Sequence, residues 1–177
     1  PFFLFGVESG RTTFGHRTLA PARIVVVGVD DYLAKLRASF VEPDYAVRRR
    51  TLVEKAAAVA DEVFCTAVDD PDLLDTLGHL VEWPGLIRGS FDASYLELPE
   101  EILVTAMREH QKVLPARDAR GALAEHFFAV ADHTGDPKGH IARGNEWVLN
   151  ARFADARFFW DDDGRVPLEQ RVPRLAR

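Results

Sequence analysis

The spacing of apolar positions changes several times along the chain, and the changes mark its elements. Phe2 to Val7 is an apolar run that ends at Gly10, and Thr12 to Arg17 follows. The pair reads as two strands joined by a turn. Ile24 to Val27 is unbroken and β-branched, which predicts a buried strand. Asp30 and Asp31 then predict the cap of a short helix carrying Tyr32, Leu33, Leu36 and Phe40. Helical spacing dominates next. Val53, Ala56, Ala57, Ala60, Val63, Phe64 and Ala67 recur three and four apart, one face of a long helix that begins near Pro43-Asp44. At Asp70-Pro71-Asp72 a capping carboxylate, a proline for the first turn and an acid for the dipole open another helix. Its core face is Leu73, Leu74, Leu77, Leu80 and Val81, and Trp83-Pro84 stops it.

The second half is read the same way. Leu86 to Phe91 predicts a strand. Pro99, Glu100 and Glu101 open a helix that buries Ile102, Leu103, Ala106 and Met107, with His110 next on that face. Lys112 to Ala116 and His126 to Ala131 predict a hairpin around the polar connection Asp118 to Gly121. Asp136-Pro137 opens a last long helix, which should end near Asp161-Asp162-Asp163, where acids oppose the dipole, with Gly164 after them. A short helix follows from Pro167. The sum is α+β: a mixed or antiparallel sheet packed with several helices, two of them long. The expected organisation is one domain over 1–177. It has a strand-rich start (1–28), a helical insert (43–82), a sheet region (86–133) and the long helix (136–163).

Composition narrows the function classes. The chain has 177 residues, 47% hydrophobic and 28% charged, enough for a packed core. No apolar run nears the roughly 20 residues that span a bilayer, and no signal peptide is visible, so no membrane partner is expected. A lone cysteine, Cys65 on an apolar helix, fits a buried inert thiol in a reducing cytoplasm. The chain begins at Pro1 and reads as a piece of something longer. A net charge of −6 argues against a general nucleic-acid binder such as a DNA-binding domain, while leaving room for local RNA contact. Arg48-Arg49-Arg50 is the only basic triplet, either a solvated helix face or such a patch.

Candidate chemistry is confined to a few polar clusters. His110-Gln111-Lys112 closes the Pro99 helix, where His110 can meet the last carbonyls or, with Lys112, a phosphate. Gly144 interrupts the last long helix, as if something approached its backbone. Asn145, Val148, Arg152, Asp155 and Phe159 share one stripe there, readable as an internal Arg152–Asp155 network or as a ligand site. Glu82 precedes Trp83, a core anchor. Arg17 follows Gly15-His16 beside a strand, and Gly15 reads as a bulge. No phosphate loop, dinucleotide turn, paired-cysteine metal spacing or nucleophile elbow occurs, so no catalytic residue and no metal ligand is assigned.

The same clusters resemble a known family. Thr13-Phe14-Gly15-His16-Arg17, Leu80-Val81-Glu82-Trp83-Pro84, Leu98-Pro99-Glu100-Glu101, His110-Gln111-Lys112 with Pro115 and Asp118, and Gly144-Asn145-Glu146 with Val148-Leu149, Ala151-Arg152, Asp155-Ala156 and Phe158-Phe159 are similar, in order, to signature stretches of the glycyl-tRNA synthetase beta subunit. The resemblance implies an internal fragment of that subunit, in a region likened to a B3/B4 domain. It implies an alpha-subunit partner holding the aminoacylation centre, with ATP and Mg used by the holoenzyme and no cofactor in this piece, and tRNA(Gly) as the RNA contacted. Val113, Trp147, Asn150 and Thr18 depart from the usual pattern, and two of them replace a common Arg.

Three roles follow as expectations. The first is a structural, RNA-contacting module of glycine–tRNA ligase, with His110, Gln111, Lys112, Asn145, Arg152, Arg17 and Glu82 as contact candidates. The second is an editing hydrolase built on His110, Lys112 and Glu82. The third is an assembly scaffold for the alpha subunit.

Overall fold

The computed structural model describes residues 2–165 and 168–171. Its centre is a four-stranded antiparallel sheet of order β5-β7-β8-β6. The strands are β5 (Thr66–Ala67), β6 (Pro84–Ser90), β7 (Val113–Arg117) and β8 (Leu123–Asp132). Register alternates side chains between the two faces. Leu114 lies opposite Phe128, and Val113 opposite Ala129. Leu114 and Phe128 join one core with Leu52, Ala56, Ala60, Leu73, Leu74 and Leu77 from α2 (Tyr45–Asp61) and α3 (Pro71–Leu80). Val113, Phe127 and Ala129 join the other with Leu103, Met107, Leu149 and Phe153. Those four come from α4 (Glu100–Thr105), the π-helical turn Ala106–Gln111 that continues it, and α5 (His140–Arg165). Helices thus cover both faces of the sheet. This is why its central strands read as near-continuous apolar runs.

Helix starts follow local chemistry. The Asp44 carboxylate accepts the N–H groups of Ala46 and Val47, and Asp70 accepts that of Leu73 ahead of Pro71. Asp136 accepts the N–H groups of His140 and Ala142, so α5 begins four residues after its cap. It ends at Arg165, beyond the acidic run.

The N-terminal 40 residues depart most from expectation. The first predicted strand breaks at Phe5-Gly6, where both φ are positive, into β1 (Phe3–Leu4) and β2 (Val7–Glu8). The second ends at Phe14, as β3 (Thr12–Phe14), and pairs with β4 (Arg23–Val25). The Ile24–Val27 run is not buried: Val27 is 71% exposed. Two-stranded ribbons have no second layer to bury their outer face, whatever their composition. Gly15 sits at a close approach rather than a bulge. A Cβ there would lie 2.4 Å from the Ala20 carbonyl oxygen and 2.6 Å from the Ser39 Cβ. In α1 (Val29–Ala38) the N-cap is Gly28, Asp31 accepts the Val27 N–H, and only Leu36 is buried.

Phasing also differs in the helices. Leu52, Ala56 and Ala60 point inward on α2, while Val53 and Ala57 face out. The helix stops at Asp61, and Phe64, at φ 55°, is 90% exposed. Leu80 is exposed, Val81 is buried, and Trp83 is half-buried with its ring edge-on to Phe40 at 5.5 Å. A 3₁₀ turn (Ala93–Glu97) and the short α6 (Leu168–Arg171) complete the described elements. The architecture is α+β.

Candidate functional site

The polar clusters picked out in the sequence gather into two separate places. The first lies where β3 runs out against the main sheet. His16 is 2% exposed, and its Nε2 lies 3.0 Å from Asp132 Oδ2 at the end of β8. The other Asp132 oxygen accepts the N–H groups of Glu82 (2.9 Å) and Trp83 (2.8 Å). Glu82, Asp132 and His16 each bring one ligand-type atom within 4.8 Å of the others.

The imidazole tautomer decides what this cluster is. Nδ1 faces the N–H groups of Thr18 (3.3 Å) and Leu19 (3.2 Å), which can only donate. The ring proton therefore sits on Nε2, which lies near the Asp132 carboxylate without a hydrogen bond to it, and that nitrogen is not a lone-pair ligand for a cation. The Thr18 hydroxyl is 3.3 Å from Nδ1, which gives a Thr18–His16–Asp132 line with the outline of a relay. The Nδ1 lone pair is already shared by two backbone N–H groups and is not free for that hydroxyl. The cluster is a clasp between the N-terminal ribbons and the sheet.

Beside it is a cavity of about 510 Å³ lined by Arg17, Glu42, Arg48, His79, Glu82 and Asp132, among others. Arg48 is committed to the fold: it donates to the Glu42 carbonyl (2.7 Å) and the Gly78 carbonyl (3.0 Å). Arg49 donates to Asp75 (2.6 Å) and, with Tyr45, holds that carboxyl below the usual carboxylate range. Arg50 pairs with Glu54 at 3.8 Å. The basic triplet is thus not one free patch.

The second place is a groove of about 600 Å³ between α4 with its π turn and α5. It is lined by Glu101, Ile102, Thr105, Ala106, His110, Arg152, Asp155, Ala156 and Phe159. A regular α-helix would keep His110 on the buried face that runs through Ala106 and Met107. Here the Lys112 N–H bonds the Met107 carbonyl, five residues back, at the end of a π-helical turn. The wider turn carries His110 out to the exposed groove.

Across from it, Arg152 and Asp155 are both exposed and not joined to each other, so the expected internal network does not form. Neither they nor His110 and Glu101 make a hydrogen bond or ion pair among the described residues. Gln111 is half-buried at the end of the turn. Lys112, left-handed at φ 52°, pairs with Glu109 and does not line the groove. Asn145 donates to the Ile141 carbonyl of its own helix, and a Cβ at Gly144 would meet nothing within 4 Å.

Sequence reasoning missed the residues that fix the groove wall. Glu146 accepts the Ser90 N–H (3.0 Å) and Asn150 accepts the Asp92 N–H (3.0 Å). Arg157 donates to the Ser94 carbonyl and to Glu97. The three recur at helical spacing around buried Phe153, which is the one signal that could have grouped them. Cys65 borders an apolar cavity of about 280 Å³, and burial pushes its thiol up.

The whole chain, residues 1–177, matches the family model described as glycyl-tRNA synthetase beta subunit. The chain belongs to that family. The glycine–tRNA ligase beta subunit of Desulforudis audaxviator is 45% identical over 174 residues, which cover 98% of this chain and 25% of the relative. The Bacillus subtilis subunit is 39% identical over 175 residues, 99% of this chain and 26% of the relative. That of Syntrophus aciditrophicus is 39% identical over 175 residues, 99% and 25%. The chain thus spans about a quarter of the length of the curated beta subunits it matches. Of the editing candidates, Glu82 belongs to the clasp, His110 to the groove, and Lys112 to neither. No described helix is long and apolar enough to cross a membrane.

Proposed function

We propose that this chain is a structural and tRNA-contacting module of glycine–tRNA ligase, with the aminoacylation chemistry in the alpha subunit and the RNA taken up by the α4–α5 groove. The observation that carries this reading is the convergence of four unpaired polar groups on one groove with an apolar floor. Arg152 can grip a phosphate or a guanine edge, and Phe159 can stack on a base. Asp155 and Glu101 can accept from exocyclic amines or 2′-hydroxyls. Carboxylates beside the arginine suit a nucleotide read at its edges better than a run of phosphates, which agrees with a net charge of −6. His110 adds a donor or acceptor on the opposite wall.

The test uses the full-length beta subunit with tRNA(Gly). Arg152→Ala is expected to weaken binding and lower glycylation by the reconstituted enzyme. ATP–pyrophosphate exchange with glycine should require the alpha subunit; exchange by the beta subunit alone would sink the division of labour. Ala- and Ser-tRNA(Gly) are expected to decay no faster with the protein than without it, because the groups that would activate water are split between two places.

A further inference from the structure

Helix α5 has an outer side that no described residue covers. Gly144, Trp147, Ala151, Ala154 and Phe158 recur at alternating three- and four-residue steps, and all are exposed. Trp147 is 74% exposed and Phe158 64%. Three, four, three, four is the spacing of a seam that meets another helix, and glycine and alanine between two aromatic rings let a second backbone come close. Neither ring has a role in the groove, whose lining residues on α5 are Arg152, Asp155, Ala156 and Phe159.

We infer that the outer face of α5 docks a helix from the part of the same beta-subunit polypeptide that lies outside these 177 residues. The length of the family supports that occupant: about three quarters of each matching subunit lies beyond the aligned segment. A segment on the same chain reaches the seam at high effective concentration without a diffusional encounter. A soluble subunit is not expected to leave an aromatic seam bare while waiting for a transient partner. The docking helix presents small apolar side chains to the glycine and alanines that lie between the two rings. RNA is a poorer fit, because the seam itself carries no cation.

Hydroxyl-radical footprinting of the unmodified full-length beta subunit tests this without a variant that could fail to fold. Oxidation of Trp147 and Phe158 is followed by peptide mass and compared with the same peptides in the urea-unfolded subunit. Both are expected to be protected by about 10-fold or more in the subunit alone, at dilutions where it is monomeric. Protection that first develops on adding the alpha subunit overturns the inference in favour of an inter-subunit seam. Protection that requires tRNA(Gly) overturns it in favour of RNA, and protection that rises with subunit concentration overturns it in favour of a second copy. Free oxidation under all these conditions overturns it outright. The groove reading is judged separately by Arg152→Ala, so either can fail alone.

Discussion

Asp132 sets one carboxylate oxygen against His16 and bonds the backbone of residues 82 and 83 with the other. His16 Nε2 lies 3.0 Å from Oδ2, while Oδ1 takes two N–H groups at 2.9 and 2.8 Å. A single side chain at the end of β8 thus anchors two stretches that are far apart in sequence. The two N–H bonds to the carboxylate are charge-assisted and worth more than neutral ones. Asp132→Ala is expected to lower stability by about 2 kcal/mol, and Asp132→Asn, which keeps an acceptor for the two N–H groups, by about half of that. Denaturant unfolding measures both; equal midpoints for all three proteins would show that the clasp does not stabilise the fold.

The Glu42 side chain supplies an acid limb. Two bonds from Arg37 (2.7 and 3.1 Å) hold its carboxyl below the ordinary 4.5, and the Asp44 N–H assists. The folded state binds that proton less tightly than the unfolded chain. The stabilisation is therefore complete above the ordinary glutamate value and is lost as pH falls through the lower folded value. Glu42→Gln is expected to lower stability near neutrality and to flatten its decline below pH 4.5. Unfolding midpoints collected from about pH 2 to pH 7 should show the two curves converging in acid.

Two glycines should respond in opposite directions. At Gly89 in β6 a Cβ would lie 2.3 Å from the ring of Phe127, which is 1% exposed and cannot retreat. Gly89→Ala is expected to cost roughly 1–3 kcal/mol through overpacking. At Gly144 the space is open and the backbone helical, so Gly144→Ala should stabilise this 177-residue chain by up to about 1 kcal/mol. Thermal unfolding of the two variants beside the parent protein decides both.

Arg152→Ala should leave the folded chain unharmed, since its guanidinium is exposed and bonds no described residue. If the groove takes RNA through a phosphate, the variant should weaken tRNA affinity and reduce the slope of log affinity against log salt by about 1. A lower affinity with an unchanged slope would assign Arg152 to a base edge instead. Titrations at several salt concentrations separate the two outcomes.

Much of the fold could be read from the chain because its determinants are local. Asp44 and Asp70-Pro71 mark helix starts by chemistry that acts within a single turn. The strands around Leu114 and Phe128 are apolar on both sides because both sides are covered. Burial of Ile24–Val27 could not be read, because it depends on a layer that the ribbon lacks rather than on the residues themselves. Nor could the division of the polar motifs into clasp and groove. It depends on the β6–β8 register, which sets Asp132 opposite Pro84, next to Glu82 and His16, while His110 lines the α4–α5 groove. The outward turn of His110 was hidden for a different reason: it follows from a change of helical pitch in a segment whose apolar spacing looks regular.

That change of pitch has a consequence for how this region tolerates length variation. Between Ala106 and Gln111 each hydrogen-bonded loop already spans one residue more than in an α-helix. Deleting a residue from an ordinary helix rotates everything beyond it and ruins the packing. Deleting one here would let the turn relax to α geometry while Met107 stayed in the core, and the residues after it would swing away from the groove. The segment thus works like a slack loop in a cable: shortening it by one residue would spare the fold and retract the groove's histidine, separating foldability from site geometry in a single step.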